Sequence, residues 1–343
     1  MEISLKKIIF VQDISNAKLM EFKKLIDRGA ELERMNEALH REDTQFIVIY
    51  GRRRIGKSEL IKRIVKARHK AIYFLSDTSS ETVQRVAFSK VAASVIDGFD
   101  KVIYPDWETL FRSFNNQLSE RMLVCLDEFP YLVKSCDVLP SIIQKLLNEK
   151  ILKFDLVLCG SSQQLMHGYV LNRQSPLYGL ANEIMKMQPI PAQYMSMAME
   201  CDAVQAVEEY AIWGGVPRYW ELRRDYPDKE TAIRKVLLDP QGPLIEEPQR
   251  LLRDDMRDTM QASTLLTIIG NGANKLSEIA TRAGKDGSTI SEPLSKLRDL
   301  GYVSREVPFG ESPKKSKKGI YHINDSLLRF HYQFIVPYRS ILE

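Results

Sequence analysis

The stretch that decides the fold is Phe46-Ile-Val-Ile-Tyr50, followed by Gly51-Arg-Arg-Arg-Ile-Gly-Lys-Ser58 and then Glu59-Leu-Ile-Lys-Arg-Ile-Val65. The first segment is an unbroken apolar run and reads as a buried strand. In the third, Leu60, Ile61, Ile64 and Val65 recur at helical spacing. Strand, glycine-bounded loop, lysine-serine and helix form the setting a phosphate-binding loop requires. The glycines let backbone N–H groups converge, and the helix N-terminus adds a partial positive charge. Lys57 would reach the β- and γ-phosphates of a nucleotide, and Ser58 would hold Mg²⁺. The expected nucleotide contacts are Gly51, Arg52, Arg53, Arg54, Ile55, Gly56, Lys57, Ser58 and Glu59. The bland alternative is a glycine turn before a basic surface helix.

Working outward, Ala71-Ile-Tyr-Phe-Leu75 reads as a second strand, with helices at about 81–96 and 107–118. Arg121-Met-Leu-Val-Cys-Leu-Asp-Glu128 is the second anchor: an apolar strand ending in two carboxylates. At the C-terminal end of a parallel strand, Asp127 would face the phosphates and bind the Mg²⁺ shell. Glu128, with Lys57, is the expected catalytic pair, Glu128 orienting or deprotonating the attacking water. Phe154-Asp-Leu-Val-Leu-Cys-Gly-Ser-Ser162 is a further strand. Ser161 at its end is a candidate γ-phosphate sensor, and a serine here would equally serve as a helix N-cap. Glu183-Ile-Met-Lys-Met-Gln-Pro189 closes the sheet. Upstream, Leu32, Met35 and Leu39 form a helical stripe. Strands alternating with helices imply an α/β fold, a parallel sheet with helices on both faces.

Composition sets bounds. At 343 residues, two or three domains are expected. A hydrophobic content of 44% with 27% charged residues suits a globular core. A net charge of +4 permits nucleic-acid binding without arguing for it. Cys125, Cys136, Cys159 and Cys201 show no C-x-x-C spacing, which points to reduced thiols rather than a metal site or disulfide frame. No apolar run approaches ~18 residues, and the first residues lack a signal-peptide core, so a cytoplasmic protein with no membrane contact is expected.

Beyond the sheet the character changes. The expected organisation is an N-terminal arm at 1–20 with Ile8-Ile-Phe-Val11 as a possible edge strand, a core at 21–190 and a helical lid at 191–250. A winged helix-turn-helix at 251–324 and a C-terminal extension from 325–343 follow. In the lid, Arg218 could reach the γ-phosphate or lie over Trp220 at the surface. Pro240, Gly242, Pro243 and Pro248 mark a linker. Three amphipathic helices and two strands then make the winged helix. Its third helix would present Ser288, Thr289 and Lys296 to a major groove. Lys314, Lys315, Lys317 and Lys318 in the wing would meet phosphates of double-stranded DNA. Pro293 fits that helix if Ser291 is its N-cap. Winged helices also serve as protein-contact modules, so both roles stay open.

The motifs resemble the archaeal-type P-loop ATPases, a group related to AAA+ and STAND proteins. The likeness runs from about Leu25 to Glu343. It rests on Ile26-Asp-Arg-Gly-Ala-Glu-Leu-Glu-Arg34, Tyr50 to Ser58, Leu126-Asp-Glu-Phe-Pro-Tyr131, Gly160-Ser-Ser162, Ser175-Pro-Leu-Tyr-Gly179 and Gly214-Gly-Val-Pro-Arg218, with Arg305-Glu-Val-Pro308 and Lys317-Lys-Gly-Ile-Tyr321 further on. The resemblance implies a nucleotide-binding core, a helical lid and a winged helix, with ATP and Mg²⁺ at Lys57, Ser58, Asp127 and Glu128. Members often carry an arginine after the Ser-Pro-Leu-Tyr-Gly stretch, where Leu180 stands here. They also often continue into a nuclease-like domain, so a truncated or short form is expected, without nuclease activity. The expected function is slow Mg²⁺-dependent ATP hydrolysis coupled to a DNA-contacting module, with a protein partner or a second copy as further partners. The alternative is a nucleotide-gated DNA-binding or scaffold switch with little turnover.

Overall fold

The computed structural model describes residues 26–312, 316 and 318–342. The expected N-terminal arm and Lys314, Lys315 and Lys317 lie outside the described residues. The chain forms two compact units. Among the described residues the first comprises 26–49, Lys57–Cys159 and Leu180–Met185, and the second Tyr50–Gly56, Gly160–Gly179 and those from Lys186 onward.

The first unit is built on a five-stranded sheet of β1 (Phe46–Tyr50), β2 (Ala71–Leu75), β3 (Met122–Asp127), β4 (Phe154–Gly160) and β5 (Glu183–Lys186), whose last residues run on into the second unit. The order is β2-β3-β4-β1-β5. β2 and β3 pair in parallel from Ala71↔Leu123 to Leu75↔Asp127, and β3 and β4 from Met122↔Phe154 to Leu126↔Leu158. Every residue of β3 and β4 is buried. That explains their continuous apolar runs, because a central parallel strand is covered on both faces. β1 lies between β4 and β5; the connection from β1 runs to β2 at one edge, whereas the one from β4 crosses β1 to β5 at the other. In open α/β sheets such a switch point forms a crevice at the carboxyl ends of the strands.

Helices α1 (Gly29–Leu39) and α2 (Lys57–Lys66) pack together, α1 burying Leu32, Met35, Ala38 and Leu39. A second group is α3 (Glu81–Ala92), α4 (Trp107–Gln117), α5 (Phe129–Ser135) and α6 (Leu139–Asn148). Asp106 caps α4 by accepting the Thr109 N–H at 2.7 Å. Phe88 of α3 is central here, meeting Trp107, Phe111 and Phe114 edge-on at 5.6–6.0 Å between centroids, a geometry aromatic pairs favour. α3 stops at Ala92, short of the expected Ile96, and the chain turns through Gly98 at φ +74°. At the opposite sheet end Arg121 binds Asp155 at 2.6 Å, and Asp155 also accepts the Gln45 N–H.

The second unit is mostly helical: α7 (Gln163–Met166), α8 (Met195–Met199), α9 (Ala203–Trp213), α10 (Pro217–Arg224), α11 (Lys229–Ala232), α12 (Glu247–Asp255), α13 (Thr259–Gly270), α14 (Leu276–Ala283), α15 (Gly287–Asp299) and α16 (Ser326–Phe330). β6 (Val303–Glu306) and β7 (Ile320–Ile323) pair antiparallel. α12 to α16 and the two strands share one core that includes Leu266, Ile269, Ile279, Ile290, Leu294, Leu297, Tyr302 and Leu328. Two sequence readings are corrected here. Pro248 lies in the first turn of α12 rather than in a linker, where its missing N–H has no helical partner to lose. α15 begins at Gly287 with Asp286 as N-cap, so Pro293 lies inside it. Ser291 is not the cap; its hydroxyl donates to the Gly287 carbonyl at 2.6 Å. Among the described residues no helix is long and apolar enough to cross a membrane.

Candidate active site

The loop after β1 owes its path to a few backbone positions. Gly51 has φ +149°, and a Cβ there would lie 2.6 Å from the Met187 carbonyl oxygen, so only glycine fits. Gly56 has φ +95° with open space around it, so conformation rather than room demands glycine. Between them Arg54 takes φ +66°, a left-handed conformation unusual for an arginine. Ile55 is fully buried and anchors the loop.

Lys57 and Ser58 open α2, and Lys57 is only 4% exposed. Asp127 ends β3 and is fully buried. Its Oδ1 accepts the Glu128 N–H at 2.9 Å and its Oδ2 accepts the Tyr73 hydroxyl at 2.6 Å. The Tyr73 hydroxyl therefore holds one oxygen of the carboxylate expected to meet a metal. Burial, reinforced by the Asp127 hydrogen bond, pushes its pKa far up, so it stays an O–H donor. Burial likewise raises the Cys159 thiol, with Asp127 adding to the effect, leaving Cys159 neutral. Glu128 has φ +53° and turns the chain from β3 into α5, its carbonyl accepting the Tyr131 N–H at 2.9 Å. Ser58 and Asp127 offer hard oxygen donors, the chemistry magnesium selects.

The remaining expected residues are placed as follows. Arg52 pairs with Asp325 and donates to the Tyr219 hydroxyl at 2.9 Å. Arg53 pairs with Asp254 at 2.8 Å and Arg54 with Glu247 at 2.9 Å. Glu59 pairs with Arg63 on α2 at 3.2 Å. Ser161 follows β4 directly, and its neighbour Ser162 caps α7 by accepting the Leu165 N–H. Arg218 is exposed and pairs with Glu221 at 2.8 Å. Ser288 and Thr289 are exposed on α15. Lys296 is half-buried, and burial followed by the nearby Arg257 charge lowers its pKa. Lys318 pairs with Glu311 at 2.7 Å. Sequence reasoning missed Tyr73, Tyr219, Glu247, Asp254 and Asp325. Of these only Tyr73 had a signal, as the one polar side chain in the strand after the loop helix.

A family model described as an ATPase domain predominantly from Archaea matches residues 25–221, which contain the sheet, the loop, Asp127 and Glu128. The chain belongs to this archaeal ATPase family. Uncharacterized protein MJECL04 of Methanocaldococcus jannaschii is 31% identical over 325 residues, covering 93% of this chain and 70% of that one. Among solved structures, the Walker-type ATPase PABY2304 of Pyrococcus abyssi is similar with a TM-score of 0.64 and 20% identity, covering 91% of this chain and 97% of that one. The ORC2 protein of Aeropyrum pernix, solved as ADPNP–ADP complexes, follows with a TM-score of 0.57 and 12% identity over 93% and 94% of the two chains. At such identities the two structures speak for the fold alone.

Proposed function

We propose that this ATPase-family protein binds ATP with Mg²⁺ on the 51–58 loop and hydrolyses it slowly to ADP and phosphate. The observation that carries the reading is buried Asp127, held by the Tyr73 hydroxyl at the end of β3, together with nearly buried Lys57 and Ser58 at the start of α2. Loop amides and Lys57 would neutralise the β- and γ-phosphates, the electrostatic placement that dominates phosphoryl-transfer catalysis. Ser58 and Asp127 would hold Mg²⁺, which supplies charge neutralisation at the β–γ bridge. Glu128 would orient a water and take its proton as the water oxygen bonds the γ-phosphorus. The bond from that phosphorus to the bridging oxygen breaks, and ADP leaves. Residues 251–324 are proposed as the winged helix, meeting duplex DNA through Ser288, Thr289 and the wing lysines.

A second reading, a nucleotide-gated switch with little turnover, is favoured by one feature. Arg52, Arg53, Arg54 and Arg218 all carry carboxylate partners, and Leu180 stands where the resembled family often has arginine.

Titration calorimetry with ATP and Mg²⁺ tests the assignment. Wild type binds, Lys57→Ala loses at least about tenfold in affinity, a ~1.4 kcal/mol loss, and Glu128→Gln keeps binding. Wild-type affinity in Lys57→Ala would sink it. Fluorescence anisotropy with duplex DNA at several salt concentrations tests the DNA proposal, which fails if no binding occurs even at low salt.

A further inference from the structure

All three residues between Gly51 and Ile55 are arginine, and carboxylates from distant segments hold every one of them. Asp325 takes Arg52, Asp254 takes Arg53 and Glu247 takes Arg54. The Tyr219 hydroxyl receives a hydrogen bond from Arg52 and donates to Glu247 at 2.9 Å, linking the Arg52 and Arg54 ion pairs in one run of side chains. The Glu247 side chain is completely buried and that of Asp325 is 9% exposed. Burial pushes Tyr219 up to about 12, so it remains an O–H donor at neutral pH.

The acids occupy structural pivots. Asp325 caps α16, accepting the Leu328 N–H at 2.8 Å. Glu247 opens α12 and Asp254 lies near its end. Next to Asp254, buried Asp255 accepts the Tyr302 hydroxyl at 2.8 Å and the Gln163 N–H at 3.0 Å. The loop is therefore tied to residues that organise the helical core. Arg54 adds a second observation. Its left-handed backbone strains an arginine and would suit glycine. Such conformations persist only where the surroundings fix them, and the buried pair with Glu247 does so.

We infer that Arg52, Arg53 and Arg54 are positioning residues that latch the phosphate loop to α12 and α16, so that nucleotide binding and the stability of those helices are coupled. The inference rests on the nucleotide reading above. With the latch closed, the loop amides are held in one arrangement; with it open, the loop loses that order, and nucleotide binds more weakly and leaves sooner. Linkage makes the effect reciprocal, so bound nucleotide stabilises α12 and α16.

The test combines two readouts on the full chain. Release of a fluorescent ATP analogue in Mg²⁺ is followed by stopped flow in Asp254→Asn, Glu247→Gln and Asp254→Glu, which keeps the carboxylate. Amide hydrogen exchange of residues 247–255 and 326–330 is measured with and without the analogue. Asp254→Asn and Glu247→Gln release nucleotide at least about fivefold faster, the lower end of typical couplings, and Asp254→Glu stays near wild type. Nucleotide slows exchange in both helices of wild type and does so less in Asp254→Asn and Glu247→Gln. Tight wild-type binding with unchanged release and exchange in folded variants overturns the latch alone. Failure of wild type to bind any nucleotide overturns the nucleotide reading and the latch with it. Asp254 is 46% exposed, so Asp254→Asn carries the decision if Glu247→Gln does not fold.

Discussion

Replacing Tyr73 with phenylalanine removes one hydroxyl from the site. That hydroxyl donates to Asp127 Oδ2 at 2.6 Å, and Asp127 is fully buried. The carboxylate would keep only the Glu128 N–H on Oδ1 among its hydrogen bonds described above. A hydrogen bond to a charged group contributes about 1.5–3 kcal/mol net, and a buried acceptor left short of a donor costs a similar amount. Phenylalanine fills nearly the same space, so little packing is lost, and a destabilisation of about 2 kcal/mol is expected. At ~2–4 °C per kcal/mol for a domain of 150–250 residues, the midpoint of thermal unfolding should fall by about 4–8 °C. Circular dichroism melting without ligand measures it. Repeating the melt with Mg²⁺ and a non-hydrolysable ATP analogue should narrow the gap, because Ser58 and Asp127 would then have the cation to compensate the carboxylate. A ligand-free midpoint within about 1 °C of wild type would refute the reasoning, since buried Asp127 could not then depend on the hydroxyl.

Further predictions concern other parts of the chain. Burial, with the Arg339 charge adding, lowers the His331 pKa from 6.5 to about 4. The folded protein thus prefers neutral imidazole, a contribution fully present above pH ~6.5 and lost as pH falls toward 4. Linkage puts it at up to about 3 kcal/mol, so His331→Gln should flatten the fall in melting midpoint across that window, and an unchanged slope would contradict it. Gly215→Ala should prevent folding or lower the midpoint severely, because the new Cβ would sit 2.0 Å from the Ile190 carbonyl oxygen; soluble protein with a wild-type melt would count against it. Asp202→Ala removes the capping box of α9, where Asp202 accepts the Val204 and Gln205 N–H groups at 2.8 and 2.9 Å. It should cost ~1 kcal/mol in urea unfolding, and no change would show the cap to be replaceable by water.

The parts of the fold legible in the sequence were those carried by contiguous residues. The apolar runs at 46–50, 122–127 and 154–160 are strands because a central parallel strand is covered on both sides. The loop was legible because its glycines, lysine and serine are adjacent. Local patterning gave no access to what the arginines do. Arg52 meets Tyr219 across 167 positions, and Arg53 meets Asp254 across 201, separations over which no periodicity speaks. Three consecutive arginines in a phosphate loop read as phosphate ligands, whereas each is paired with a carboxylate. Pro293 misled for a related reason: helix rules favour proline near an N-terminus, but the buried side of α15, with Ile290, Leu294 and Leu297, continues the helix through it.

Hydrolysis itself bears most directly on the central claim. Steady-state phosphate release from ATP should be measured with and without Mg²⁺, in wild type and in Glu128→Gln. Slow turnover that requires Mg²⁺ and vanishes in Glu128→Gln, while that variant still binds ATP, is the expected result. Phosphate release that persists unchanged in Glu128→Gln, or no release from a wild type that binds ATP tightly, would contradict the account of this protein as a hydrolase.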